Sequence, residues 1–139
     1  MKKVAVVLMA ICFITMSMTT KSMFNGKESA KELNAEKYKM CIAACNNSIT
    51  SCTTCDSKCT KDKDTKMAIC SRLCKECISS CQIAVKSMNV ESKSVKSDCA
   101  DAATACNKCA DECEKFTNDH CKKCANECRK AAKMCADVK

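Results

Sequence analysis

The sequence predicts an all-α protein, an antiparallel four-helix bundle with a cysteine-lined core, and three observations predict it. Cysteines recur at gaps of 3, 4 and 7 residues, and side chains at those spacings share one face of an α-helix. The 139 residues include one glycine and no proline, so little of the chain is disposed to turn. Short polar segments separate the helix-patterned stretches, and short connections make consecutive helices antiparallel neighbours.

The first helix is expected over 29–59. Gly26 announces it, and Ser29-Ala30-Lys31-Glu32 has the capping-box pattern in which Ser29 and Glu32 satisfy each other's backbone amides. Cys41, Cys45, Cys52, Cys55 and Cys59 stay in one a/d register, with Ser48 at the vacant position and Tyr38 one step above. The charged run Lys61 to Thr65 is a turn, with Asp64 or Thr65 as the next cap. A second helix over 65–88 carries Cys70, Cys74, Cys77 and Cys81, flanked in register by Met67 and Met88. The polar stretch Asn89 to Ser97 joins the halves and leads into a third helix over 91–116 with Cys99, Cys106, Cys109 and Cys113. Thr117-Asn118-Asp119 is a turn and cap before a fourth helix over 118–137, which holds Cys121, Cys124, Cys128 and Cys135. Lys108, Glu112, Lys123 and Glu127 fall between the sulfur positions and read as a solvated face.

Ahead of this domain, Met1-Lys2-Lys3 and the apolar run Val4 to Met16 are too short for a membrane span and read as a signal peptide. Cleavage is expected between Ser17 and Phe24, giving a signal segment 1–23 and one bundle domain 24–139. Cys12 leaves with the signal, so seventeen of the eighteen cysteines remain. Without a lipobox or a twin arginine, the expected product is soluble, exported by the general route to the periplasm or the exterior, and free of the membrane once cleaved.

Composition narrows the function. Eighteen cysteines in a chain this short suggest a disulfide scaffold, but such scaffolds are loop-rich and this chain is not. Beyond the signal segment the leucines are Leu33 and Leu73, and the aromatics are Phe24, Tyr38 and Phe116. Cysteine must therefore supply much of the interior, and because each thiol buries little area the metal-free chain should be marginally stable. The net charge of +8, about +6 without Lys2 and Lys3, is spread among acids with no arginine cluster or stacking aromatics, so nucleic acid is not an expected partner. With one histidine, no Ser-His-Asp set and no nucleotide loop, an enzyme is not expected either.

The thiols themselves point to metal. Six pairs sit at i,i+4, from Cys41 and Cys45 to Cys124 and Cys128. Such neighbours have Cβ atoms about 5–6 Å apart, wider than the roughly 3.5–4.5 Å a disulfide needs. They can share an ion: at about 2.3 Å per metal–sulfur bond, two sulfurs across one metal stand about 4.6 Å apart. Thiolates favour Cu(I), zinc or iron–sulfur clusters. A zinc ion on four thiolates leaves two buried negative charges, whereas one Cu(I) per thiolate is neutral. An iron–sulfur cluster needs only four cysteines, not a lining on every helix. Two alternatives stay open: a structural secreted protein crosslinked by disulfides between helices, and a zinc-binding, metallothionein-like protein.

The segments CIAAC, CTTCDSKC, CSRLCKECISSC, CNKCADEC and HCKKCANEC, between Met40 and Cys135, resemble the four-helix-bundle copper storage proteins. The resemblance implies storage or buffering of many Cu(I) ions on core thiolates, assembly into homo-oligomers, and exchange of copper with a donor or acceptor protein. It implies that all seventeen cysteines are ligands, with His120 at an open end and Met67 and Met88 as further sulfur candidates. Met40 and Met134 flank the seam, and Tyr38 and Phe116 plug the ends. The chain departs from the pattern at Ala103 and Ala131, where another CxxxC partner would fit, and at Phe116, where histidine is common.

Overall fold

The computed structural model describes residues 26–61 and 65–138, with side chains from residue 29 onward. The chain forms four helices, α1 (Gly26–Lys61), α2 (Met67–Asn89), α3 (Val95–Cys113) and α4 (Asp119–Ala136). Each packs against two neighbours in a ring, α1 on α2, α2 on α3, α3 on α4 and α4 on α1. Among the described residues there is no strand, and no helix is long and apolar enough to cross a membrane. The predicted signal segment and Asp64 lie outside the described residues.

The helix ends differ from the sequence expectations for local reasons. Helix α1 already runs at Gly26, so Ser29 and Glu32 lie inside it, both exposed, and do not form a capping box at its start. At α2 the N-cap is Lys66, with no side-chain cap bond; Thr65 contributes its carbonyl, which accepts from the Ala68 N–H at 3.2 Å. Helix α3 begins at Val95 instead of 91 because a Schellman turn occupies the junction: Ser92 N–H donates to the Ser87 carbonyl at 2.9 Å and Glu91 N–H to that of Met88 at 3.2 Å. Glu91 takes the left-handed position with φ 48°. The other end of α3 tightens, with Phe116 N–H donating to the Cys113 carbonyl at 3.1 Å. Asn118 is the N-cap of α4 in an extended conformation, and its carbonyl accepts from Lys122 N–H at 3.0 Å.

The interior consists of the seventeen cysteines, six alanines, Met67, Met88, Val95 and Val138, with Ser48, Ser51, Ser87 and Glu112 as buried polar residues; Glu112, expected on a solvated face, is buried and paired with Lys115 at 2.6 Å instead. Leu73 is only half-buried and Leu33 is exposed, so among the described residues the core contains no leucine. The outer surfaces are tied by ion pairs. Arg129 of α4 reaches Glu114 at 2.9 Å, Asp111 at 2.5 Å and the Asn107 side-chain oxygen at 3.1 Å, clamping α4 onto α3. At 36, 23, 19 and 18 residues the helices span about 54, 35, 29 and 27 Å. Helix α1 therefore outruns the others, and residues 29–37 are exposed throughout.

Candidate metal centre

The a/d register and the antiparallel pairing stack the inward side chains in layers, one residue per helix. From the Tyr38 end, Tyr38 with Met88, Val95 and Val138 closes the bundle; the last three are buried and Tyr38 is half-buried. Next comes Cys41, Ala84, Cys99 and Cys135, then Cys45, Cys81, Ala102 and Ala131, then Ser48, Cys77, Cys106 and Cys128. Two complete sulfur layers follow: Cys52, Cys74, Cys109 and Cys124, and then Cys55, Cys70, Cys113 and Cys121. Cys59, Met67, Phe116 and His120 make the far end. Every one of the seventeen thiols is buried, and all except Cys59 and Cys135 are wholly inaccessible.

The sulfurs approach one another within and between layers. Cys41 and Cys135 are 3.3 Å apart, Cys70 and Cys113 3.3 Å, Cys52 and Cys124 3.5 Å, Cys77 and Cys106 3.4 Å, and Cys74 and Cys109 3.7 Å. Several sets have all their ligand atoms within 4.8 Å of one another, among them Cys52, Cys74, Cys109 and Cys124, and Cys55, Cys59, Cys70 and Cys121. Three thiolates around one ion at about 2.3 Å per bond stand about 4.0 Å apart, so the column accepts three-coordinate soft ions with small side-chain adjustments. At these separations none of the pairs is bonded as a disulfide.

Sequence reading placed the cysteines in one register, and the structure brings all seventeen into one column. His120 is half-buried at the far end, its Nε2 3.9 Å from the Cys59 sulfur. Met67 is buried at that same end, and Met88 lies at the opposite one. Met40 is exposed and Met134 half-buried, both near the Tyr38 end. Phe116 packs half-buried against the core. Of the two expected gaps, Ala131 does stand in the seam, but Ala103 is half-buried beside it and Ala102 occupies the position. The spacing from Cys99 through 102 to Cys106 is 3 then 4 residues, which is the signal that identifies Ala102. Sequence reading treated Ser48 as a vacant site, whereas its hydroxyl lies 3.4 Å from Cys128, 3.5 Å from Cys77, 3.9 Å from Cys106 and 4.0 Å from Cys52.

Electrostatics divides the thiols. Contact with Cys106 and then Cys109 pulls the Cys77 thiol well below its ordinary range, and Cys106, Cys109 and Cys124 do the same for Cys128. At the far end burial, followed by the charge of Cys55, pushes Cys59 and Cys121 up. Neighbouring thiols thus act as donors to the few that ionise first, and the whole set cannot ionise without cations. Monovalent ions in equal number cancel the charge; divalent ions on four thiolates do not.

Comparison with known proteins agrees with this chemistry. Residues 34–139 match the family model described as Csp, copper storage protein. The apo form of copper storage protein 3 from Bacillus subtilis superposes with a TM-score of 0.68 at 36% identity, covering 72% of this chain and 96% of that one. The Cu(I)-bound copper storage protein BsCsp3 gives a TM-score of 0.69 at 36% identity, with 71% and 94% covered. No curated protein sequence matches. With the match spanning all four helices, the chain belongs to the copper storage protein family.

Proposed function

We propose that this protein stores or buffers Cu(I), holding many ions per chain on the thiolates of its core, and that it does so stoichiometrically without catalysing a reaction. The observation that carries the reading is the column of buried sulfurs, with neighbouring thiols 3.3–4.0 Å apart, whose charge one monovalent soft cation per thiolate neutralises in full. The solved Cu(I)-bound relative supports the choice of metal. The N-terminal basic and apolar segment supports storage outside the cytoplasm. There, bound metal protects thiols that would otherwise be driven to disulfides. The resemblance to the family supports assembly into homo-oligomers and copper exchange with a partner protein.

The test is an anaerobic titration of the reduced protein with Cu(I) against a competing chelator, with Zn(II) in parallel. Uptake should track the cysteine count, and Cys124→Ser with Cys128→Ser should lower it. Uptake of one or two Cu(I), tighter binding of Zn(II), or isolation with nearly all cysteines in disulfides would overturn the reading.

A further inference from the structure

The column is not uniform, because one layer has only two sulfurs. At the level of Cys45 and Cys81 the other two helices present Ala102 and Ala131, both wholly buried, and a methyl group cannot bind copper. The two thiols of that layer also have close partners on opposite sides. Cys45 lies 3.4 Å from Cys135, on the Tyr38 side, and Cys81 lies 3.4 Å from Cys106, on the His120 side. Cys41, Cys99 and Cys135 form a set within 4.8 Å, and Cys45 joins it through Cys135. Among the described residues, the thiol–thiol hydrogen bonds of these four stay within the group. Across the layer, Cys45 and Cys81 act on each other.

We propose that the core is two metal compartments in series: an inner Cu(I) site of four thiols, Cys41, Cys45, Cys99 and Cys135, and an outer store of the remaining thirteen, joined only through Cys45 and Cys81. This rests on the storage reading above. The inner site is sealed from the near end by Met88, Val95 and Val138, all buried, so its ions leave through the alanine layer toward His120. Each transfer is a thiolate exchange: a Cu–S bond to the incoming sulfur forms, the bond to the outgoing one breaks, and copper stays monovalent throughout. With alanine on two of four helices, that route has a single pair of stepping stones. The inner site therefore fills last and empties last.

The experiment is copper removal from the fully loaded protein by excess Cu(I) chelator, followed in time. Two phases are expected, the slower holding roughly a quarter of the copper, the share of four thiols among seventeen. Cys99→Ser should shrink the slow phase and leave the fast one unchanged. Cys81→Ser, checked for helicity by circular dichroism, should slow the slow phase several-fold. Ala131→Cys, which adds a stepping stone, should speed it several-fold whether or not the Cys81 variant folds. A protein that binds many Cu(I) but releases them in one phase, a slow phase indifferent to Cys99→Ser, or one unmoved by Ala131→Cys would overturn the compartments alone. Failure to bind more than one or two ions would overturn the storage reading and this inference together.

Discussion

Glu91 is the residue most at odds with its own backbone. A non-glycine side chain at φ 48° brings its Cβ close to the following carbonyl, an arrangement that disfavours most residues by about 1–2 kcal/mol. It persists because the Schellman bonds from Ser92 and Glu91 leave the chain no other way to reverse between α2 and α3. Glycine there would remove the clash and lose some of that gain to greater freedom of the unfolded chain. Glu91→Gly should therefore stabilise the metal-free protein by about 0.5–1 kcal/mol, read as a higher urea midpoint with an unchanged slope. A lower midpoint would mean that the Glu91 side chain makes a contact more valuable than the strain it causes. Ser48 shows a different residue-scale effect. Serine interrupts the thiol register, yet its hydroxyl touches four sulfurs at 3.4–4.0 Å, keeping polar contact where alanine would leave none.

At the scale of elements, the helices were legible from the sulfur spacing while their ends were not. The gaps of 3, 4 and 7 fix which face of each helix turns inward, and the number, order and pairing of helices follow with short connections. Helix ends depend on backbone hydrogen bonds that residue identity specifies weakly. The expected cap at Ser29 was absorbed into a longer α1, and the third helix starts later than 91 because an αL residue, here glutamate where glycine would have signalled the turn, ends the second. The sulfur count per layer was partly legible too: Ala131 reads as a gap, but Ala102 is found only by carrying the register through Cys99 and Cys106. The length of α1 has a dynamic consequence. Residues 29–37 are exposed on all sides, whereas 41–59 lean on the column, and a helical stretch without tertiary packing is marginal in water. Amides of 29–37 should therefore exchange with solvent deuterium far faster than those of 45–59 in the apo protein. Equal protection along α1 would show that the extension is covered by something else, such as a second chain.

For the whole molecule, pH should act with opposite signs on the empty and loaded forms. In the empty form most of the thiols are held neutral in the folded state, although contact with neighbouring thiols pulls a few, Cys77 and Cys128 among them, the other way. At Cys59 and Cys121 burial first, and the charge of Cys55 second, raise the thiol above its ordinary value of 9.0, and a group held up in this way favours folding only while protonated. That contribution is fully present below pH 9.0 and is lost as pH rises through the folded-state value. The melting temperature of the reduced, metal-free protein should therefore fall as pH is raised from about 8 to about 10. In the loaded form copper displaces protons from thiolates, so binding releases protons and weakens in acid. Since the core has no leucine and its thiols bury little area each, the bound metal supplies much of the folding free energy. Loading should raise the melting temperature strongly near neutrality, and the increment should shrink toward acid. Anaerobic scanning calorimetry of both forms across this range checks the two slopes together. A metal-free protein that gains stability in alkali would show that thiols ionise readily in the bare core, and a loaded form indifferent to acid would show that copper is not held by titrating thiolates.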